Sequence, residues 1–382
     1  MRAPSAKYLR YAIIRSLRKQ GYSVKRGLIQ IPENPSKHDY RDMNKMAIRR
    51  NIDISGPGIQ RYEDKLIKYI ANGEDVEPER ISPKIVIVKP ESEQARLFRY
   101  VCLHWSIPVS SGYGRRIRFL VFDESNDKLI GLFGLGDPVY AMKKREDWIG
   151  WDREAKAERL YHIMDAYVLG AVPPYSYLLG GKLVAMLACS NEVRKEFHKK
   201  YEGRESLIRK KIRSPYLVLI TTSSALGRSS VYNRIRVNGQ EYWTSVGFTQ
   251  GSGEFHFSNG VYDKIRAYVE RYCEPTAKQE EWGEGFRNKR EVIRKCLSKI
   301  GLSSDLIYHG IKREIFAAPL ARKALQFLRG EVKRPCFYDW SVSDLSKIFA
   351  DRWLFSRVER KPEYRKFERE QYRIWQSNKG RS

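Results

Sequence analysis

The order in which short apolar segments alternate with helical ones between residues 84 and 248 constrains the fold more than any other feature of this chain. KIVIVKP (84–90) and YLVLITTS (216–223) are β-branched runs typical of strands. RIRFLVFD and KLIGLFGLGDP, separated by the turn residues ESND, predict an antiparallel hairpin. The segment EYWTSVGFTQGSGEFHF predicts a last pair of strands. Strands and helices in this order predict an α/β core with a mixed sheet.

Helical segments are predicted on both sides of this core. Apolar residues at helical spacing predict a helix over residues 5–20 and a second over residues 59–70, after the breaker Gly-Pro-Gly at 56–58. From about Gly260 onward the pattern is again helical. The sequence therefore predicts a helical basic N-terminal module (1–83), an α/β core (84–260) and a helical C-terminal region with a basic tail (261–382).

The chain is strongly basic. It carries 72 Lys and Arg residues against 45 Asp and Glu, a formal net charge of +27, and its first acidic residue is Glu33. This excess predicts an acidic partner, with nucleic acid favoured over a membrane, although a basic helix can also be an ordinary solvated face. The basic runs are 2–26, 194–213 and 352–381.

Targeting signals and cysteines bear on the compartment. No long apolar region predicts a secretory signal or a transmembrane helix. The five cysteines are scattered and show no zinc-binding spacing, which predicts a reduced, cytoplasmic protein without a membrane partner.

The segment PPYSYLLGGKLVAMLA (173–188) places glycines and a lysine at a predicted helix start, in a helix that extends to about Phe197. Free backbone N–H groups and the helix dipole favour an anion at such a start. This pattern predicts a phosphate-binding site formed by Ser176, Gly180, Gly181 and Lys182. The alternative is that the glycines allow close helix–sheet packing and Lys182 is solvated. The spacing matches neither a Walker A loop nor a Rossmann fingerprint.

The segment TTSSALGRSSVYNRI (221–235) follows a predicted strand and combines hydroxyls, glycine and arginines. Such donors suit a phosphodiester or a sugar edge. The candidate phosphate- or nucleic-acid-binding residues are Ser223, Arg228, Ser229, Ser230, Tyr232, Asn233 and Arg234. We expect this segment and Lys182 to lie around one cleft at the open end of the sheet. The alternative is a serine-rich turn that caps a helix. A serine nucleophile is less favoured, because no histidine stands in an obviously partnered position.

Aspartates cluster around GLGDP and DWIGWD. If the protein cleaves DNA, Asp137, Asp147 and Asp165 are the candidate catalytic carboxylates, with Mg²⁺ as the cofactor. The alternative is that these aspartates, together with Asp152, form turns and helix caps. The tryptophans of DWIGWD are either base-stacking or core residues.

Several long motifs in one order resemble a known family. PPYSYLLGGKLVAMLACSNEV, LVLITTSSALGRSSVYNRI, EYWTSVGFTQGSG and HGIKREIFAAPLARKALQFLRG, with GLGDP and DWIGWD, are similar to the DruA family of Druantia anti-phage defence proteins. The resemblance covers residues 92–353. It implies a component of a bacterial defence system that binds DNA and works with other proteins, including a helicase.

The predicted strand order also resembles the GNAT (N-acetyltransferase) superfold. In that fold a central strand ends beside a helix start that cradles the pyrophosphate of an acyl-CoA. The resemblance places residues 178–181 at that loop and residues 246–248 in the closing strand. The chain departs from the usual pattern, because Gly180 and Gly181 are adjacent instead of being spaced by one residue. The fold prediction is therefore an α/β protein with a GNAT-like mixed β-sheet core, and a nucleic-acid backbone competes with a cofactor for the helix start.

Three functions are open at this point. The first is a DNA-binding component of a defence system, which could also process DNA. The second is a GNAT-like transferase that uses a nucleotide-type cofactor to modify a base or a protein. The third is a non-enzymatic adaptor that loads a helicase.

Overall fold

The computed structural model describes residues 3–30, 35–109, 114–205, 210–237, 239–257, 260–275, 285–286 and 288–375. Within these residues the α-helices are α1 Ala6–Lys19, α2 Lys37–Ile59, α3 Glu63–Leu66, α4 Glu93–Cys102, α5 Lys143–Ile149, α6 Arg153–Arg159, α7 Gly180–Leu187, α8 Asn191–Tyr201, α9 Val261–Tyr272, α10 Lys289–Lys299, α11 Ala324–Leu328, α12 Val342–Phe349 and α13 Phe355–Arg360. The strands are β1 Ser23–Lys25, β2 Leu28–Gln30, β3 Pro83–Ile87, β4 Arg116–Asp123, β5 Lys128–Gly136, β6 Ile163–Ala171, β7 Leu219–Ser223, β8 Arg236–Val237, β9 Gln240–Glu241, β10 Thr244–Phe248, β11 Glu314–Pro319, β12 Ala321–Arg322 and β13 Cys336–Phe337.

A seven-stranded sheet forms the centre of the molecule. Its strand order is β10-β11-β7-β6-β5-β4-β3. β6 and β7 run parallel, and the other neighbouring strands run antiparallel. The predicted α/β class with a mixed sheet and the predicted β4–β5 hairpin are confirmed.

The parallel pair β6–β7 is short. Its ladder joins residues 163–165 to residues 219–221, after which β6 continues alongside β5 alone. Tyr167 is an extra residue in β6, because Ala166 pairs with Leu135 and Val168 pairs with Gly134. A Cβ atom at Gly134 would lie 2.5 Å from the Tyr167 ring, so a glycine is needed opposite the bulge.

Both faces of the sheet are covered. Phe119 and Val121 of β4 belong to a core completed by α7, α8 and α12, whereas the alternate residue Leu120 belongs to a second core completed by α3 and α4. Opposite faces receive alternate residues because the side-chain period of a strand is two. The C-terminal segment 361–375 closes the second core with Phe367 and Tyr372.

A separate hydrophobic core forms away from the sheet. Leu9, Ile13 and Leu17 are the fully buried positions of α1, and they pack with residues of α9 and α10. The hairpin β1–β2 and residues 306–311 complete this core. We call α1, β1–β2, α9 and α10 together the helical module. None of the helices in the described ranges has the length and apolarity needed to cross a membrane.

The structure corrects several expectations. The residues after Gly260 are not uniformly helical, because β11 is an internal strand of the sheet; its residues 314–318 are all buried, so the polar alternation that marks a half-exposed strand is missing. The predicted last strand pair supplies β10 to this sheet, whereas residues 255–257 form a 3₁₀ turn. The Gly-Pro-Gly breaker lies inside α2, where Gly56 packs against the Trp375 ring.

Candidate functional site

The start of α7 is tightly packed. Leu179 adopts a left-handed conformation (φ 61°) directly before the helix, and the Gly180 N–H donates to the Tyr175 carbonyl at 2.9 Å. A Cβ at position 180 would lie 2.7 Å from the same carbonyl oxygen, whereas one at Gly181 would meet only Val231, at 3.7 Å. Gly180 therefore serves close packing and Gly181 leaves an open approach. Ser176 is partly buried in the preceding turn, where its N–H donates to the Val172 carbonyl.

Lys182 joins this helix start to the segment after β7. Its Nζ donates to the carbonyl oxygens of Ser230, Val231 and Asn233 at 2.8, 2.9 and 2.9 Å. Partial burial lowers the pKa of the Lys182 ammonium to about 8, and the nearby cations Arg234 and Arg352 act in the same direction. Because all three ammonium hydrogens are engaged, Lys182 fixes the loop that follows β7.

We call residues 224–234 the hydroxyl loop; the structure holds it on Glu314 at the start of β11. The carboxylate of Glu314 accepts hydrogen bonds from the Ser245 hydroxyl at 2.9 Å and the Ser229 N–H at 3.4 Å. The Glu314 N–H donates to the Gly227 carbonyl at 3.0 Å. Tyr40 of α2 also lies against Gly227. The loop is therefore fixed by contacts with Lys182, Glu314 and Tyr40.

The side chains of this loop divide into exposed and buried ones. Arg228, Ser230, Asn233 and Arg234 are exposed, whereas Ser229 is partly buried. Tyr232 is buried against Trp243 and Phe316. Ser223 is the last residue of β7 and pairs with Ile315. The exposed residues of the loop are thus its two arginines, Ser230 and Asn233.

A polar cluster lies where β6 and β7 separate. The Thr221 hydroxyl donates to the Asp165 carboxylate at 2.9 Å, and the Thr222 hydroxyl donates to the Ala166 carbonyl at 2.8 Å. Burial raises the pKa of Asp165 to about 6, although the Thr221 bond and the Arg145 charge oppose this rise. Burial also raises the pKa of Tyr232 to about 12, and the Asp165 charge adds to that rise. Asp165 is therefore a partly buried carboxyl group whose pKa lies above that of an ordinary aspartate.

The three candidate catalytic aspartates have different surroundings. Asp137 accepts the Arg115 N–H and Nε–H, both at 2.8 Å, and Arg115 Nη2 lies 2.7 Å from its carboxylate. Asp147 is exposed on α5, and Asp165 lies at the β6–β7 separation. Within the described ranges no three His, Cys, Asp or Glu side chains are grouped as metal ligands. Arg115 already neutralises Asp137, so the Mg²⁺ site stays a prediction without a supporting cluster of ligands among the described residues. Asp152 caps α6, as the turn-and-cap alternative expected.

A sequence model of the family described as "Druantia protein DruA" matches residues 34–330. The chain is also 40% identical over 340 residues to the Druantia protein DruA of Escherichia coli (strain UMEA 4076-1), which covers 89% of this chain and 84% of that protein. The chain belongs to the DruA family. The resemblance found in the sequence is confirmed, and membership assigns the protein to the Druantia anti-phage defence system. No solved structure matched the chain.

The DruA match includes the whole seven-stranded sheet, the start of α7 and the hydroxyl loop. Helix α1 and the C-terminal segment 361–375 lie outside the matched residues. The start of α7 and the hydroxyl loop of this DruA-family protein therefore both lie in the part of the chain that the family model matches.

Sequence reasoning missed three residues that shape the site. Glu314 holds the hydroxyl loop from 85 residues away, and the Arg352 guanidinium donates to the Arg236 carbonyl at 3.0 Å. The guanidinium of Arg145 is fully buried and contributes to the field at Asp165. No local sequence pattern indicates a role for Arg145 or Arg352. For Glu314, an acidic side chain at the start of the apolar run EIFAAP was a signal that the sequence did contain.

Proposed function

We propose that this protein is a DNA-binding component of the Druantia system, with the basic face of α1 as its main phosphate-contacting surface. The observation that carries this proposal is the composition of that face. Its exposed residues are Lys7, Tyr8, Arg10, Tyr11, Arg15, Arg18 and Lys19. No acidic residue lies in α1, and none of its cations forms an ion pair within the described residues.

Unpaired cations favour a polyanion. A protein that neutralises DNA phosphates releases condensed counterions, so binding gains free energy that falls as salt is added. The exposed Tyr11 ring lies 6.0 Å from the Arg15 guanidinium. The exposed Tyr8 ring lies 4.9 Å from Lys264 Nζ, which also donates to the Tyr8 hydroxyl at 2.8 Å. Cations interleaved with exposed aromatic rings are typical of nucleic-acid surfaces.

The hydroxyl loop is the second proposed contact. Arg228, Asn233 and Arg234 would reach phosphates directly, with Ser223, Ser229, Ser230 and the helix start at Ser176, Gly180 and Gly181 around them. Lys182 and Tyr232 would act by holding the loop, since their polar or ring atoms are already engaged. The contact between Tyr40 and Gly227 brings α2 to this loop. Of the predicted basic runs, Arg2 and residues 206–209 and 376–381 lie outside the described residues.

The test is a salt titration with charge-neutral variants. Fluorescence anisotropy would measure the affinity for labelled duplex DNA, single-stranded DNA and RNA between 50 and 300 mM salt, a range of roughly six-fold in which phosphate contacts dominate the change. We expect a steep linear fall of log affinity against log salt. Arg15→Gln/Arg18→Gln should reduce the slope by about 2 if both contact phosphates, because each contact contributes about 0.9.

The matched control removes the same charge elsewhere. Lys143→Gln/Lys347→Gln neutralises two exposed lysines on α5 and α12 and should leave the slope unchanged. A nearly flat plot for the parent protein, or equal slopes for both double variants, contradicts the proposal. Tighter binding of RNA or of single-stranded DNA than of duplex DNA would identify a different nucleic acid as the ligand of the same α1 surface.

A GNAT-like transferase is the second candidate, and one observation favours it. The sheet has a single parallel pair at its centre, β6–β7, and α7 follows β6 after the eight-residue connection 172–179. Against a CoA site, the Gly180 N–H already donates within the chain. Absorbance ratio and native mass spectrometry of the purified protein distinguish the candidates: bound nucleic acid supports the first, and a bound nucleotide-type cofactor supports the second. Association with other Druantia proteins, including a helicase, remains a proposal drawn from the family resemblance.

A further inference from the structure

A cavity of about 440 Å³ opens at the end of the sheet opposite to the hydroxyl loop. Its lining includes His162, directly before β6, and Tyr216, shortly before β7. Because β6 and β7 are parallel, both strands run from this cavity toward the polar cluster at Asp165 and Thr221. The cavity therefore lies at the other end of these strands from the hydroxyl loop, and its lining residues belong neither to that loop nor to α1.

The lining is strongly cationic. Arg159, Arg213, Lys333 and Arg334 line it together with one carboxylate, that of Glu158. Glu158 already accepts Arg213 at 3.1 Å and Lys211 at 3.3 Å. Within the described residues Arg159, Lys333 and Arg334 have no acidic partner, so three of the cations that line the cavity are not neutralised.

The rings of His162 and Tyr216 form an aromatic wall of the cavity, and Phe327 lies behind Arg159 without lining the cavity. The Arg159 guanidinium lies 4.5 Å from the centre of the Phe327 ring, and the His162 and Tyr216 rings stack at 6.0 Å. Burial lowers the pKa of His162 to about 4, and the charges of Arg159 and Arg213 add to this effect. The imidazole is therefore neutral at pH 7, and its Nδ1 lies 3.1 Å from the Tyr216 carbonyl oxygen.

We propose that this cavity binds the phosphate group of a phosphate ester. Its volume lies within the range of about 300–1,000 Å³ that is typical of small-molecule sites. Guanidinium groups bind phosphate through paired N–H donors, and the Ser214 hydroxyl and the aromatic wall suit an adjoining sugar or base. The ester can come from a free nucleotide or from a DNA strand. The proposal does not depend on DNA binding by α1.

The test uses the full chain and three probes: ATP, inorganic pyrophosphate and a 20-base-pair duplex. Lys333→Gln/Arg334→Gln changes two exposed residues of one loop, so the fold is retained; a thermal unfolding scan checks this. The matched control is Arg153→Gln/Arg322→Gln, two exposed arginines outside the cavity. Arg159→Gln is the second cavity variant. Isothermal calorimetry measures the three affinities at low salt.

We expect the cavity variants to weaken ATP and pyrophosphate binding at least ten-fold while the control matches the parent. If the cavity variants lose ten-fold in affinity for the duplex alone, the phosphate ester belongs to DNA, and the proposal that the cavity binds a phosphate ester is equally supported. If no probe distinguishes the cavity variants from the control, or if the parent binds none of the three, the proposal is overturned. Loss of duplex binding in Arg15→Gln/Arg18→Gln with ATP binding intact separates the two proposals.

Discussion

Ionisation of Asp165 opposes folding at neutral pH. An aspartate has an ordinary pKa of 3.8, and burial between β6 and β7 raises the pKa of Asp165 to about 6. Between these two values the folded protein holds the proton more tightly than the unfolded chain does. The free energy of unfolding therefore falls as the pH rises from about 4 to about 6. The rise in pKa, at 1.36 kcal/mol for each pH unit, corresponds to at most about 3 kcal/mol at pH 7.

Asp165→Asn removes the charge and keeps an oxygen that can accept the Thr221 hydroxyl. We expect the variant to be more stable than the parent at pH 7 by up to about 3 kcal/mol, with the difference closing toward pH 4. Urea denaturation followed by tryptophan fluorescence at pH 4, 5, 6, 7 and 8 measures this difference. Asp147→Asn, at an exposed position of α5, is the control and should show no such pH dependence. A difference between Asp165→Asn and the parent that is the same at pH 4 and pH 7, or a less stable variant at pH 7, would refute the reasoning.

Three further outcomes are expected. Gly180→Ala should lower the free energy of unfolding by about 1–3 kcal/mol, because the new methyl group overlaps the Tyr175 carbonyl. Gly181→Ala is the control and should change the free energy of unfolding little. Equal urea midpoints for the two variants would contradict the packing argument. Lys182→Met should release the hydroxyl loop, so chymotrypsin should cleave faster after Tyr232 while the circular dichroism spectrum stays unchanged. An unchanged cleavage rate would show that Glu314 holds the loop without Lys182. If the protein cleaves DNA with Mg²⁺, Asp165→Asn should leave the rate unchanged, because the described residues hold no group of three His, Cys, Asp or Glu side chains around Asp165 that could bind the metal. Loss of cleavage with binding intact would instead identify Asp165 as a metal ligand.

Local patterns predicted the elements whose residues specify their own structure. The β4–β5 hairpin follows from two apolar runs around a polar turn, and α1 follows from apolar residues at helical spacing. β11 could not be identified in this way, because a strand between two others is apolar throughout and resembles a buried helix segment. Its position beside β7 is set by tertiary pairing.

The candidate site shows the same division. The glycines at a helix start and the hydroxyl-rich loop were visible as composition, and the parallel order of β6 and β7 brings Lys182 to that loop. What composition could not show is which polar atoms are already engaged. Lys182 donates to three carbonyl oxygens that lie 48–51 residues later in the chain. Asp137 accepts from Arg115, which lies 22 residues earlier.

The pairing of α1 with later helices affects how the chain is made. Gln20, at the end of α1, donates to the His256 carbonyl 236 residues later, and the apolar face of α1 packs on α9 and α10. At a synthesis rate of about 5–20 residues per second, these partners leave the ribosome some tens of seconds after α1. Closing so long a loop is also slow compared with local helix formation. Throughout that interval Leu9, Ile13 and Leu17 lack the residues that bury them in the folded protein. The nascent chain therefore exposes both a cationic and an apolar surface at the ribosome.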